Sequence, residues 1–292
     1  MDENEWLTEP FEEHRSHLRA VAYRMLGSLS EADDAVQEAW LRLSRADTSE
    51  VENLGGWLTT VVSRVCLNRL RSRKSRREEP LDVYVPDPLV SRDETDPEHE
   101  AQLVDSVGLA LLVVLETLAP AERLAFVLHD MFAVPFDEIA TIVGRSPTAA
   151  RQLASRARRR VQGAATPDVD LTRQREVVDA FFAAARDGDF DALVEVLDPD
   201  VVLRSDGGVA RPAVSVVVSG AAAVAERALT FTRLSPFVLP ALVNGAAGVV
   251  VAPGGRPLSV MAFTVSGGKI VEIDSLGDPE RLRNLDLPVL DD

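Results

Sequence analysis

The sequence predicts a multidomain fold: two all-α domains, a helical bundle and a helix-turn-helix, joined by an acidic linker and followed by an α+β domain. Three observations carry that prediction. Apolar residues recur at helical spacing through much of the stretch from Pro10 to Val161. Charge is segregated into two basic blocks around an acidic strap. Beyond Pro167 the helical pattern gives way to alternating runs punctuated by glycine pairs. The expected boundaries are 1–77 for the first helical domain, 78–104 for the linker, 105–165 for the helix-turn-helix domain and 171–287 for the α+β domain.

The first domain reads as helices. Ala32, Ala35, Val36, Ala39, Trp40 and Leu43 form one apolar stripe. Ser30 is the expected N-cap, with Glu31, Asp33 and Asp34 in the first turn where the helix dipole favours acids. Gly55-Gly56 breaks the chain before a second amphipathic helix, with Leu58, Val61, Val62 and Val65 facing inward. Arg64, Asn68 and Arg71 fall at i, i+4 and i+7 of that helix and so share its other face. Trp57 and Cys66 are expected in the core.

From Glu78 to Asp105 ten acids stand against one base, and Pro80, Pro86, Pro88 and Pro97 interrupt them, which predicts an extended or disordered linker. Helical periodicity then resumes near Ala101. FDEIATIVGRSPTAARQLASRARRRV reads as helix, turn, helix, with Gly144 in the turn, Ser146 as N-cap and Pro147 at the first helical position. Ala150, Leu153, Ala154, Ala157 and Val161 would face the core of that unit, and Thr148, Arg151, Gln152, Ser155 and Arg158 would face out. A polar, basic second helix of this kind suits the major groove.

In the last domain, two helical segments near 172–187 and 190–197 precede the runs DVVLRSD, PAVSVVV, GVVVA, PLSVMAFTV and KIVEIDSL, with a helical stretch near 221–231 between them. Gly267-Gly268 is expected as a hairpin turn.

Bulk properties narrow the function classes. The net charge of −16 argues at first against a nucleic-acid partner. Its distribution reverses that reading: Asn53–Arg77 holds seven basic residues and no acid, and Ile139–Pro167 holds six arginines and no acid. One cysteine excludes an internal disulfide framework and argues against a cysteine zinc site. No window is apolar enough to span a membrane, and the acidic start lacks the features of a secretory signal, so a cytoplasmic protein without membrane partner, metal or cofactor is expected.

Three strings, YRMLGSLSEADDAVQEAWLRL, GGWLTTVVSRVCLNRLRSRKSRR and LAPAERLAFVLHDMFAVPFDEIATIVGRSPTAARQLASRARRRV, resemble the extracytoplasmic-function (group IV) RNA polymerase sigma factors in the family's order. The resemblance implies an alternative sigma factor whose partners are core RNA polymerase and promoter DNA. It implies that Asp33, Asp34, Gln37, Glu38 and Arg42 dock on the polymerase. It places Arg64, Asn68 and Arg71 on the −10 element, and Thr148, Arg151, Gln152, Ser155 and Arg158 on the −35 element. Arg156 and Arg158 to Arg160 are expected on phosphates, and the acidic linker would thread channels of the polymerase.

The α+β domain resembles the SnoaL-like (nuclear-transport-factor-2-like) cone that a subgroup of these factors carries at this position. Asp206-Gly207-Gly208 resembles the start of a DGGGK signature, and Asp278-Pro279 with the three residues after it resembles NPDKL. These residues are the expected regulatory contacts. A WLPEP-type segment expected after the helix-turn-helix is absent there, where ATPDVDL stands instead.

Two other readings compete: a stand-alone helix-turn-helix regulator with a small-molecule-sensing domain, and a cone-fold isomerase or hydrolase fused to a DNA-binding module. From Asp130 onward there is no His, Cys, Tyr or Trp, which leaves Asp206, Glu272 and Asp274 as proton-transfer candidates. The domain therefore reads as an interaction or ligand-sensing module, with a small molecule as a candidate partner and no catalytic residue.

Overall fold

The computed structural model describes residues 5–46, 51–76, 83–92, 108–163 and 167–290. The end of the expected basic run at Arg77, most of the expected linker and Ala165-Thr166 lie outside them. The chain forms two compact units, one from residues up to Pro80 with Val114–Gly163, the other from Leu81–Val113 with Ala164 onward.

In the first unit, α1 (Glu5–Leu26), α2 (Leu29–Leu43) and α3 (Leu54–Arg76) pack on one another. The α2 stripe is buried at Ala32, Ala35, Val36, Ala39 and Leu43, one face of a 3.6-residue period. Its N-cap is Ser28, whose hydroxyl accepts from the Glu31 amide, and not Ser30 as the sequence suggested. The Gly55-Gly56 pair does not break the chain: both lie in the first turn of α3, where the Asn53 side chain accepts from the Gly56 amide at 2.9 Å. A side chain at Gly55 would meet the His14 ring at 2.9 Å, so glycine permits the close approach of α1. Leu58, Val61, Val62, Val65 and Cys66 are buried. Burial pushes the Cys66 thiol up to about 12, which makes it inert packing. Trp57 is half-buried rather than a core anchor, and lines a surface groove.

α4 (Leu109–Glu116) carries the division between the units. α5 (Pro120–Phe126), a π turn (Val127–Met131), α6 (Phe136–Val143) and α7 (Pro147–Val161) follow. α6 ends where Gly144 turns left-handed at φ 70°, and α7 starts where the Ser146 hydroxyl accepts from the Ala149 amide at 3.2 Å. Ala150, Ala154 and Ala157 bury the inner face of α7 against α5, while Leu153 and Val161 are half-buried.

The second unit is a seven-stranded sheet in the order β1-β4-β5-β6-β7-β2-β3, antiparallel except for β2 beside β7. Its strands are β1 (Val90–Ser91), β2 (Leu197–Asp206), β3 (Val216–Ser219), β4 (Val238–Val243), β5 (Ala246–Val251), β6 (Ser259–Ser266) and β7 (Lys269–Leu276). Helices α8 (Leu171–Asp187), α9 (Phe190–Val196) and α10 (Ala221–Leu229) pack against the sheet, and α11 (Pro279–Leu282) follows β7. Phe181, Leu193, Val224, Val249, Phe263 and Ile273 belong to the core between the two layers. Gly267-Gly268 forms the β6–β7 turn, with both residues at positive φ. The Asp168 carboxylate accepts both glycine amides at 3.0 Å, which holds it below the usual carboxylate range and ties the chain to the sheet before α8 begins.

Residues 83–92 are the main departure from expectation. They do not form a free linker: Val90 and Ser91 make the edge strand of this sheet, paired to Val243 and Leu242, and the residues before them lie against it without regular structure. Val85, Asp87, Val90 and Ser91 are buried.

Candidate nucleic-acid interface

The capped α2 turns Asp33, Asp34, Gln37 and Arg42 outward, with Glu38 half-buried beside them. Arg19 holds Asp33 at 2.6 Å, and Arg69 of α3 lies 3.5 Å from Asp34 and 3.8 Å from Glu38. The face is thus a charge-ordered ridge fixed in place by its neighbours. Leu41, 44% exposed, adds an apolar spot to it that periodicity alone did not reveal.

On α3, Arg64, Asn68 and Arg71 are all exposed along one side, as their spacing requires. Arg64 also borders a groove lined by Arg42, Asn53, Trp57, Thr60 and, from α6, Glu138. Two guanidinium groups and an amide in line can grip a backbone or base edges. The π turn packs on α1, and α5 packs on α3. Arg123, 1% exposed, donates from Nε and Nη2 to the Arg24 carbonyl at 3.1 Å and pairs with Glu116 at 2.5 Å.

The α7 face is partly as expected. Thr148, Arg151, Gln152 and Ser155 are exposed together, and Arg151 lies over the Phe136 ring at 5.5 Å. Arg158 departs from the expected outward position: it is half-buried and pairs with Asp130 of the π turn at 2.5 Å. Arg160 is 3.0 Å and Arg156 3.8 Å from the buried Glu122, so both brace α7 against α5. Arg159 is exposed and has no ion-pair partner among the described residues.

The five residues expected as regulatory contacts converge on one corner of the second unit. The Asp206 carboxylate accepts from the Val85 amide at 3.1 Å and from the Gly208 amide at 3.0 Å. Gly208, at φ 61°, passes so close to Asp278 that a side chain there would sit 2.1 Å from its carboxylate. Asp278 caps α11, with Pro279 at its first position. From α11, Arg281 reaches Asp206 at 2.9 Å, Asp87 at 2.7 Å and the Val85 carbonyl at 2.6 Å, and lies over the Tyr84 ring at 4.7 Å. At the other end Leu89 and Asn244 exchange two hydrogen bonds, at 3.0 and 2.8 Å. The segment so held, Tyr84-Val85-Pro86-Asp87-Pro88, has the aromatic, aliphatic, proline, acid, proline order expected after the helix-turn-helix. It lies before it instead.

A cavity of about 280 Å³ opens between the helices and the sheet of this unit. Leu203, Ser205, Ile273 and Ser275 line it, so the alternation of β2 and β7 turns Arg204, Glu272 and Asp274 to the opposite face. There Arg204 is 3.2 Å from Asp274 and 3.4 Å from Glu272.

Family models for Sigma-70 region 2 and Sigma-70 region 4 match residues 10–76 and 108–161. The chain is 39% identical over 285 residues to the probable ECF RNA polymerase sigma factor SigI of Mycobacterium tuberculosis, covering 97% of both. It is 40% identical over 286 residues to that organism's ECF RNA polymerase sigma factor SigJ, covering 93% of this chain and 91% of SigJ. The crystal structure of SigJ matches with a TM-score of 0.77 at 38% identity, over 96% of this chain and 99% of that one.

Proposed function

The chain belongs to the extracytoplasmic-function RNA polymerase sigma factors, and from that premise we propose how its surfaces divide the work. As a sigma factor it binds core RNA polymerase, recognises promoter DNA and directs initiation. The α2 ridge of Asp33, Asp34, Gln37, Glu38 and Arg42 docks on the polymerase. Arg64, Asn68 and Arg71 meet the −10 element. Thr148, Arg151, Gln152 and Ser155 read the −35 element, with Arg159 on phosphate. Arg158 acts through Asp130, orienting α7 rather than touching a base.

The single observation that carries this reading is that each residue set stands on the outer face of its own helix, opposite a buried stripe, with Glu38 alone half-buried. Replacing Asp34 and Glu38 by arginine tests it. Co-purification with core polymerase should fall at least tenfold with helical content unchanged, and unchanged binding removes α2 from the interface.

The C-terminal unit regulates this activity without chemistry of its own. Support comes from the strap: residues 83–92 lie between the two DNA-binding regions in sequence, and a segment built into the C-terminal sheet is not free to thread the polymerase. The carboxylates Glu272 and Asp274 stand on the far side of the sheet from the cavity, which supports a unit that acts by binding rather than by proton transfer. Truncation near Ala165 tests the regulation: reconstituted transcription should change several-fold with the same start site.

A further inference from the structure

The cavity in the C-terminal unit combines two properties. Phe181, Phe182, Leu203, Val251, Met261 and Ile273 make its wall largely apolar, and its volume of about 280 Å³ is at the small end for ligand pockets. Its charged lining residues are Arg211 and Arg227, with no carboxylate among the lining residues. In a chain of net charge −16 that is a locally inverted field.

Neither arginine has an acidic partner among the described residues. Arg227 lies over the Phe231 ring at 5.3 Å. Arg211 uses Nη1 alone, donating to the carbonyls of Leu258 at 3.3 Å and Gly277 at 3.2 Å. Its Nε and Nη2 groups are left for a ligand, and a guanidinium presents them in a planar fork that matches a carboxylate. Ser205 and Ser275 supply hydroxyls to the same cavity.

Arg211 is also joined to the strap. The Gly277 amide donates to the Asp206 carbonyl at 2.7 Å, and the Arg211 amide donates to the Gly207 carbonyl at 3.2 Å. Asp206 is the residue whose carboxylate holds Val85. The cavity's cation and the strap's acceptor are therefore two hydrogen bonds apart.

We propose that the cavity binds a small apolar monocarboxylic acid, anchored by Arg211, and that the bound acid loosens the hold on residues 83–92. A ligand carboxylate gripped by Nε and Nη2 draws the guanidinium away from the Gly277 carbonyl that Nη1 holds, and Gly277 in turn supports Asp206. The coupling half rests on the regulatory reading of the C-terminal unit. Both halves are measured without polymerase, so their failure is distinguishable from a failure of that reading.

The experiment titrates the full chain with 4-phenylbutyrate and octanoate, each against its primary amide, by calorimetry. Both acids should bind, and the amides at least tenfold more weakly. Arg211→Gln should weaken the acids tenfold or more, while Arg256→Gln, outside the cavity, should not. If Arg211→Gln fails to fold, Arg227→Gln takes its place with the same expectation. Equal binding of acids and amides, no binding, or indifference to both arginine substitutions overturns the site. In the acid-saturated protein, hydrogen exchange across residues 83–92 should speed up several-fold, and an unchanged rate overturns the coupling.

Discussion

Arg281 binds Asp206 at 2.9 Å and, from the same guanidinium, the Val85 carbonyl at 2.6 Å, so one side chain closes the strap onto the sheet. Because the Arg281 side chain is only 19% exposed, its contacts are charge-assisted bonds in a poorly solvated corner rather than a surface pair. Arg281→Met should release residues 83–92 while leaving α11 capped by Asp278. The expected result is at least tenfold faster hydrogen exchange at Val85 and early protease cleavage in that segment. A strap that is free is also available to the polymerase, so affinity for the core enzyme should rise several-fold. Exchange at the wild-type rate would mean that β1 pairing alone holds the strap.

The second prediction concerns the buried pair of Arg123 and Glu116. Arg123 is 1% exposed and hydrogen-bonded to the Arg24 carbonyl of α1 as well. Removing one partner of a buried pair leaves the other charge uncompensated and costs about 3–5 kcal/mol. Arg123→Met should therefore destabilise the first unit by about that amount in urea unfolding. Adding Glu116→Gln should recover part of the loss. No recovery would assign the cost to the lost bonds at Arg24 instead.

How far the sequence could show this fold depended on the distance over which each signal acts. The helix-turn-helix was legible because Gly144, Ser146 and Pro147 encode a left-handed turn, a cap and a first helical position within four residues. The strap was not, because Val85 meets Asp206 and Asp87 meets Arg281, partners more than a hundred positions away. Its acids and prolines dominated the reading of a segment whose Val83, Tyr84, Val85 and Val90 carried the opposite signal. β4 escaped notice because Pro240 sits in it; β1 pairs only with Leu242 and Val243, so the edge beside Pro240 needs no donor. Arg158 was misplaced for a similar reason: its partner Asp130 lies in an irregular π turn that periodicity does not foresee.

A third prediction separates the arginines of α7. Gln152→Ala and Arg151→Ala should relax discrimination at one or two upstream base pairs, at roughly 1–3 kcal/mol for each lost bidentate contact. Arg159→Ala should weaken all promoters alike and lower the salt slope by about one. Arg158→Ala should instead lower thermal stability, because it removes the brace to Asp130, and leave the order of promoter preference intact. Four identical phenotypes would abolish the distinction between readout, phosphate contact and support.

The last prediction is a pH dependence. Asp274 is 2% exposed, and burial outweighs the attraction of Arg204, so its carboxyl is raised to about 6 from an ordinary value of 3.8. In the folded protein it therefore holds a proton over a range where the unfolded chain has lost it. Linkage then fixes the sign: the stability this group contributes is fully present below the unfolded pKa and is lost as pH rises through the folded one. Wild type should lose stability relative to Asp274→Asn between about pH 4 and pH 6. The amide cannot ionise, and Glu272 remains 3.4 Å from Arg204 to compensate it. Urea unfolding of both proteins at half-unit steps across that window measures the difference directly. A difference that is flat, or that rises with pH, would show that the Arg204 attraction outweighs the burial and that Asp274 is ionised throughout.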